Sequence, residues 1–297
     1  MKIAVYSVGT PEYNIEETAK VLKELGYDAV EWRVDTIGVP AYFAQMKEIP
    51  FGLRYWMDNK STLDVDNIME DALRAKKACD AVGLEICNLA TSTGYVQPER
   101  LENCLQAAKA IGCKTIRACM MGYDAKKSEK GYNEICAEMR AELEKLQPHL
   151  KELGIKVLLE THHGNVIASA SAGFRILNGL DPDCFGLIFD PGNMVFEGYE
   201  DYRKSFELLG PYLAHVHVKN AALVEDGEDE FGATKWKQDW RPLNRGSANL
   251  RDLVEALAWI GYDGYLSIED FNNYDPTYEK LVKNITYMRK LVDSVKK

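Results

Sequence analysis

The chain has 297 residues, a length at which an α/β barrel of about 250 residues still forms one domain. A hydrophobic share of 46% and a charged share of 28% are ordinary for a globular protein, so disorder is not expected. The formal charge of −10 would repel a phosphate backbone, which argues against a nucleic-acid partner.

Short apolar runs typical of strands alternate with amphipathic runs typical of helices along the whole sequence, which predicts βα units on a parallel sheet. Eight strands are predicted, at Ile3–Val8, Ala29–Val34, Glu85–Ala90, Thr115–Met120, Lys156–Glu160, Gly186–Asp190, Ala214–Val218 and Tyr265–Glu269. Because eight strands close a barrel, we expect a single (β/α)₈ TIM barrel over residues 1–297.

Helices are predicted between these strands, and several of them end at a glycine, as helix C-termini commonly do. Examples are Gly26, Gly83, Gly112 and Gly154. The predicted helices are Ile15–Leu25, Leu63–Val82, Glu99–Ile111, Asn133–Leu153, Ser171–Leu177, Tyr202–Leu209, Leu250–Ile260 and Thr277–Val295.

Two long connections interrupt the repeat, one over residues 36–61 with Pro40 and Pro50, the other over residues 221–248 with an acidic run. Both follow strands, so they lie at the catalytic face of a barrel. Connections this long are usually functional lids or binding loops. The alternative is a pair of solvated surface insertions.

Seven scattered cysteines, none in a C-x-x-C pair, indicate free thiols in a reducing compartment rather than disulfides or a zinc site. The apolar run at the N-terminus breaks at Gly9 and Pro11, too early for a signal peptide core or a membrane span. A cytoplasmic location without a membrane partner is therefore expected.

The last four predicted strands each end near a residue that can bind a metal, namely Glu160, Asp190, His217 and Glu269. A single acid at a strand end more often caps the next helix or pairs with a lysine. Four such residues at the ends of four successive strands are stronger evidence for a metal site. The strand ends converge at the barrel mouth, and carboxylates buried together there need a compensating positive charge. An oxygen-rich set of this kind predicts one divalent metal, Mn²⁺ first, with Mg²⁺, Co²⁺ or Zn²⁺ as alternatives.

Strand parity predicts which way each histidine side chain points, because residues two apart on a strand share a face. His217 is nearer the strand end and is the better ligand, whereas His215 fills the layer below or supports it. The same rule places His162 on the side of Glu160 and His163 on the other, with the alternative that the strand has already ended there. For His162 we expect substrate contact or a proton-relay role, with a structural role as the alternative.

Four ordered motifs carry a family resemblance: Glu160-Thr-His162-His163-Gly, Asp190-Pro191-Gly192-Asn193, His215-Val-His217-Val-Lys219-Asn220 and Ser267-Ile-Glu269-Asp270. They resemble motifs of the xylose isomerase-like TIM barrel superfamily. That superfamily contains sugar-phosphate isomerases and epimerases, ketose 3-epimerases, inosose dehydratases and, more distantly, endonuclease IV. The resemblance runs from Glu31 to the last helix and is specific for the superfamily, not for a substrate.

The resemblance implies Glu160, Asp190, His217 and Glu269 as metal ligands, with Lys219 and Asn193 lining the site. The sequence departs from the family pattern at two places. The common Lys-Asp is Lys219-Asn220, and Asn244-Arg245-Gly246 replaces a frequent Gly-Glu-Gly. With five histidines the chain also lacks the additional ligands of the three-metal endonucleases.

The implied reaction is sugar isomerisation or epimerisation. The metal would chelate a carbonyl and a neighbouring hydroxyl oxygen and stabilise an enediolate, while Glu160 and Glu269 remove and return the proton. The first alternative is a lyase or dehydratase acting on a keto-cyclitol or 3-keto-glycoside, with His162 or Lys219 as the acid. The second is a barrel that binds a sugar or partner without turnover.

The expected substrate is a neutral sugar or cyclitol, because no glycine-rich phosphate cradle occurs and the largest lid candidate is acidic. Trp32, Trp236 and Trp240 could stack on sugar rings, although tryptophans are as often plain core. Homo-oligomerisation through outer helices is an expectation taken from the family alone.

Overall fold

The computed structural model describes residues 1–38, 51–119 and 122–296, and for residues 51–53 it describes the backbone alone. Three residues named in the predictions, Pro40, Pro50 and Met120, lie outside these ranges. That residues 1–297 form one domain stays a prediction.

The strands form one closed parallel barrel and one separate hairpin. They are β1 (Lys2–Tyr6), β2 (Ala29–Asp35), β3 (Leu63–Asp64), β4 (Glu85–Thr91), β5 (Thr115–Arg117), β6 (Lys156–Glu160), β7 (Phe185–Phe189), β8 (Leu213–Val218), β9 (Ala221–Glu228), β10 (Thr234–Trp240) and β11 (Tyr265–Ile268). The barrel order is β1-β2-β4-β5-β6-β7-β8-β11, and β11 pairs with β1 to close it. The predicted eight-stranded TIM barrel is confirmed.

The helices surround the barrel. They are α1 (Ile15–Glu24), α2 (Phe51–Met57), α3 (Ile68–Val82), α4 (Pro98–Ile111), α5 (Tyr132–Leu153), α6 (Ala170–Leu177), α7 (Pro191–Met194), α8 (Tyr202–Leu209), α9 (Leu250–Trp259) and α10 (Thr277–Ser294). Local sequence explains their ends: Asn14 forms a capping box with Glu17, and Gly83 ends α3 at a φ of +70°. No helix of the described part is long and apolar enough to cross a membrane.

Two sequence predictions are corrected by the structure. The helix predicted from Leu63 begins at Ile68, because Leu63–Asp64 instead pairs with β2 and a 3₁₀ turn follows. The connection over residues 221–248 is no irregular loop, since β9 and β10 form an antiparallel hairpin within it. Most of the hairpin is exposed, so its sequence lacks the alternation of apolar and polar residues by which a half-buried strand is recognised.

Side chains of β2 show how the barrel separates its two faces. Val30, Trp32 and Val34 point outward into the layer packed under the helices, whereas Glu31 and Arg33 point inward. Trp32 is completely buried in the outer layer, so it is a core residue, the alternative given above, and does not stack on a sugar ring. Burial there stabilises the fold by about 1.5 to 3 kcal/mol for a large apolar side chain.

Candidate metal and catalytic site

The four predicted ligands come together at the C-terminal ends of the last four barrel strands. Glu160 ends β6, Asp190 and Glu269 directly follow β7 and β11, and His217 is the penultimate residue of β8. One donor atom from each lies within 4.8 Å of the others, and all four side chains are buried. Three carboxylates and one imidazole suit a divalent cation.

Asp190 both caps a helix and faces the site. Its Oδ1 accepts hydrogen bonds from the backbone N–H groups of Gly192 and Asn193, at 2.9 and 3.0 Å, at the start of α7. Its Oδ2 accepts from the Asn193 side-chain amide and from Lys219 Nζ, both at 2.8 Å. The helix-capping alternative therefore applies to Oδ1 and the lysine-pairing alternative to Oδ2, which lies 3.9 Å from His217 Nδ1 and is the oxygen that faces the site.

Hydrogen bonding fixes which nitrogen of His217 faces the carboxylates. Its Nε2 lies 3.1 Å from both carboxylate oxygens of Glu31, and since a carboxylate only accepts, Nε2 carries the hydrogen. The Nδ1 atom is 3.2 Å from Glu160 Oε1 and 3.7 Å from Glu269 Oε2. Glu160 accepts from Nδ1 in the same way, and the neighbouring carboxylates raise the pKa of His217 well above its usual value, so both ring nitrogens carry a hydrogen here. Glu31 holds the ring so that Nδ1 faces the site, where a cation would replace the Nδ1 hydrogen.

Glu31 is at the centre of a buried polar network that sequence reasoning did not identify as functional. It accepts hydrogen bonds from His215 Nε2 at 3.0 Å and from the Asn88 amide at 2.8 Å, besides that from His217. Burial raises its pKa, but the charges of His217 and His215 outweigh burial and hold that pKa well below its usual value. His215 lies two residues before His217 on β8 and donates to the same Glu31 carboxylate; the supporting role expected for it stays a prediction.

Arg117 and Tyr6 were also missed, and they support the site from β5 and β1. Arg117 Nη1 donates to Glu160 Oε2 at 2.8 Å, and Nη2 donates to the Tyr6 hydroxyl at 3.2 Å. The Tyr6 ring stacks on His217 with centroids 5.6 Å apart. Burial raises the pKa of Glu160, but Arg117 and His217 reverse this and hold it well below normal, so the carboxylate is ionised. Both residues end their strands in the structure, but the predicted strands Ile3–Val8 and Thr115–Met120 run past them, so the strand-end pattern could not identify them.

Lys219 supplies a second positive charge inside the site. Its Nζ donates to Glu269 Oε2 and to Asp190 Oδ2, and it lies 5.1 Å from the Trp240 ring centroid and 5.2 Å from that of Phe271. Burial raises the pKa of Glu269 to about 7, although Lys219 and His217 act in the opposite direction. Glu160, Asp190 and Glu269 exceed Lys219 and Arg117 by one negative charge. A divalent cation that replaced the hydrogen on His217 Nδ1 would add one net positive charge and offset that excess.

A cavity of about 510 Å³ opens over these residues, a usual volume for a small-molecule site. His162 and His163 both line it, with ring centroids 4.5 Å apart. The parity prediction that put them on opposite faces is wrong, because β6 ends at Glu160 and the chain turns. His163 Nδ1 lies 3.2 Å from Oδ1 of Asn193, and the side-chain amide of Asn193 donates to Asp190, so Asn193 links this turn to the site.

The hairpin forms one wall of this cavity. Gln238 and Trp240 of β10 line it, together with residues of β2 and α2 that include Arg33 and Trp56. Trp240 packs against Phe271 at a centroid distance of 5.7 Å. Trp236 is 57% exposed and does not line the cavity. Of the three tryptophans predicted to contact a sugar, only Trp240 is at the mouth.

Comparison with known proteins identifies the family of the chain. An inosose dehydratase from Lacticaseibacillus casei is 26% identical over 132 residues, 43% of this chain, and the match spans only 44% of that relative's length. One from Geobacillus kaustophilus (strain HTA426) is 25% identical over 252 residues, covering 74% of this chain and 79% of that protein.

Among solved structures, the apo 3-keto-D-glucoside 4-epimerase of E. coli has a TM-score of 0.69 at 17% identity, over 98% of this chain and 99% of the other. That likeness shows a common fold. The model of the family described as xylose isomerase-like TIM barrel matches residues 19–291. The chain therefore belongs to the xylose isomerase-like TIM barrel family, as its motifs predicted.

Proposed function

We propose that this protein is a divalent-metal-dependent carbohydrate enzyme that moves a proton next to a carbonyl group. The observation that carries the proposal is the placement of Glu160 and Glu269 in one buried donor set with Asp190 and His217, below an open cavity. These four residues would hold the cation, with Mn²⁺ as the ion expected first. The bound cation would supply Lewis-acid polarisation of the substrate carbonyl and so acidify the adjacent C–H bond.

The protein's own groups then carry the proton. Arg117 keeps Glu160 ionised through the 2.8 Å ion pair, which suits Glu160 to the role of base. Glu269 follows β11, whereas Glu160 ends β6, and β7 and β8 separate these strands in the barrel. The two carboxylates therefore approach a substrate from different sides, and removal on one side with return on the other gives epimerisation or isomerisation.

Dehydration is the second candidate, and two observations favour it. The relatives compared by sequence are inosose dehydratases. The cavity also contains further groups able to protonate a departing hydroxyl, His162 and Lys219. A keto-cyclitol or a 3-keto-glycoside would then lose a β-hydroxyl or its aglycone after the same proton abstraction, so the two candidates share their first step.

The walls of the cavity favour a neutral polyol. Trp56, Trp240 and Phe271 offer apolar faces to the C–H groups of a ring. Each cation that lines the cavity has an acidic partner: Arg33 pairs with Asp35, Arg117 with Glu160, and Lys219 with Asp190 and Glu269. A charged substrate would have to break one of these pairs, whereas hydroxyl groups can join them.

Product analysis separates the two candidates. The metal-loaded protein is incubated with a panel of ketoses, keto-cyclitols and 3-keto-glycosides, and products are identified by NMR and mass spectrometry. A stereoisomer or positional isomer of unchanged mass supports the first candidate. Loss of water or of an aglycone supports the second. A panel in which ligands bind but none is converted or exchanges a proton would contradict both.

A further inference from the structure

A second cavity, of about 670 Å³, lies between the segment that follows β10 and one face of α10. Arg241, Leu243 and Arg245 form one side, Asn272 and Asp275 contribute from the connection after β11, and α10 forms the rest. It shares no lining residue with the cavity over the four ligands. The two cavities therefore have separate linings, although Trp240 of the first is followed by Arg241 of the second.

The lining of this second cavity is strongly basic. Lys280, Lys283 and Lys290 of α10 line it, and their spacing of three and then seven residues puts them on one helical face. Arg241 and Arg245 face them from the preceding segment. Asp275 is the single acidic residue among those that line the cavity. Five positive groups against one negative group are unexpected in a chain whose formal charge is −10.

Local ion pairs leave much of this charge unbalanced. Lys283 pairs with Asp275 and Arg241 pairs with Asp239, at 2.5 and 2.6 Å. Within the described ranges, the side chains of Arg245 and Lys290 form no hydrogen bond or ion pair, and the buried Nε of Arg241 has no hydrogen-bond partner.

Lys280 is the most deeply buried of the basic residues that line this cavity. It is only 2% exposed, and its Nζ donates to the neutral oxygens of Tyr55, at 2.6 Å, and of the Asp270 carbonyl, at 3.0 Å. Among the described residues no carboxylate forms an ion pair with this Nζ; burial lowers its pKa, and in its charged form the ammonium adds positive potential to the neighbouring cavity.

We infer that this cavity binds a phosphate group, either inorganic phosphate or the phosphoryl group of a small metabolite. Guanidinium groups match phosphate oxygens with paired hydrogen bonds, and lysines add compact positive charge. The hydroxyls of Tyr274 and Tyr287 and the amides of Asn244 and Asn284 also line the cavity and can donate further hydrogen bonds. The inference does not depend on the proposed function.

Isothermal titration calorimetry of the full chain with inorganic phosphate, at constant ionic strength, tests the inference. We expect saturable binding that weakens at least about tenfold in Arg245→Glu and in Lys290→Glu, because each loses a charge-assisted contact. Lys109→Glu, the same charge change at an exposed position of α4, serves as control and should bind like the native protein. Arg245→Gln should give an intermediate loss and guards against misfolding of the charge-reversal variants.

A hexose phosphate titrated in parallel distinguishes the two sources of the group. Tighter binding than inorganic phosphate, lost in the same variants, identifies a phosphorylated metabolite, whereas equal binding identifies free phosphate. The inference is overturned if phosphate does not bind, if chloride binds equally well, or if both charge reversals leave phosphate affinity unchanged.

Discussion

Both carboxylate oxygens of Glu31 lie 3.1 Å from Nε2 of His217, on the side of the ring away from Glu160. This contact fixes the imidazole so that Nδ1 faces the other donors. In Glu31→Gln one acceptor oxygen becomes an NH₂ group, and the ring loses part of its orientation. We predict that metal affinity falls about 10- to 100-fold, measured by competition with a chelating dye.

Glu152→Gln is a suitable control for that variant, because Glu152 is 81% exposed on its side chain and is not one of the residues that contact Glu31. Unchanged metal affinity in Glu31→Gln would show that Glu31 balances buried charge without positioning the ligand.

Metal content is the second prediction. The purified protein should bind one divalent ion per chain, and a chelator should remove activity that Mn²⁺ restores. His217→Ala should weaken binding by more than about 100-fold, because loss of a ligand exceeds loss of its support. His149→Ala, a change in a histidine that pairs with Glu102 on the surface, should bind normally. Equal metal content in the two variants, measured by mass spectrometry, would place the ion elsewhere.

The third prediction concerns the hairpin wall. Trp240→Ala removes an aromatic face next to Lys219 and Phe271 and should raise KM about tenfold, with a smaller effect on kcat. Trp236→Ala truncates the same residue type on the same strand outside the cavity and should leave KM unchanged. Similar kinetics for both variants would contradict a substrate-binding role for this wall.

The sequence predicted those parts of the molecule that depend on periodicity and on residue chemistry at strand ends. The strand pattern identified the barrel, and Glu160, Asp190, His217 and Glu269 do converge. Parity failed at His163, because it applies only while a strand continues and β6 had already ended.

Other parts depend on which neighbours the fold brings together. Glu31 is far from His217 in sequence, and the two side chains meet only because β2 and β8 both turn them into the barrel interior. The sequence alone therefore did not predict this contact. Trp32 resembled a sugar-binding residue by type, but its strand position turns it toward the helices. The hairpin was hidden because its exposed strands lack apolar alternation.

The fourth prediction explains one departure from the family pattern, Asn220 in place of an aspartate. Its amide donates to the carbonyls of Leu243 and Ala248 at 2.7 and 3.0 Å, and its Oδ1 accepts from two backbone N–H groups. Asn220→Asp would set a carboxylate against two carbonyl oxygens.

We predict that Asn220→Asp lowers the free energy of unfolding by about 2 to 3 kcal/mol, measured by urea denaturation. Asn103→Asp makes the same change at an exposed position of α4 and should cost much less. Equal stability of the two variants would mean that the anchoring role of Asn220 is energetically unimportant.

The central claim, proton transfer by Glu160 next to a carbonyl, is tested most directly by NMR of substrate exchange in D₂O. The native protein is loaded with Mg²⁺, which does not broaden lines, and compared with Glu160→Gln and with Glu152→Gln as a matched control. We predict deuterium incorporation at the carbon next to the carbonyl in the native and control proteins, slowed about 10²- to 10⁴-fold in Glu160→Gln. Incorporation at an undiminished rate in Glu160→Gln would contradict the account.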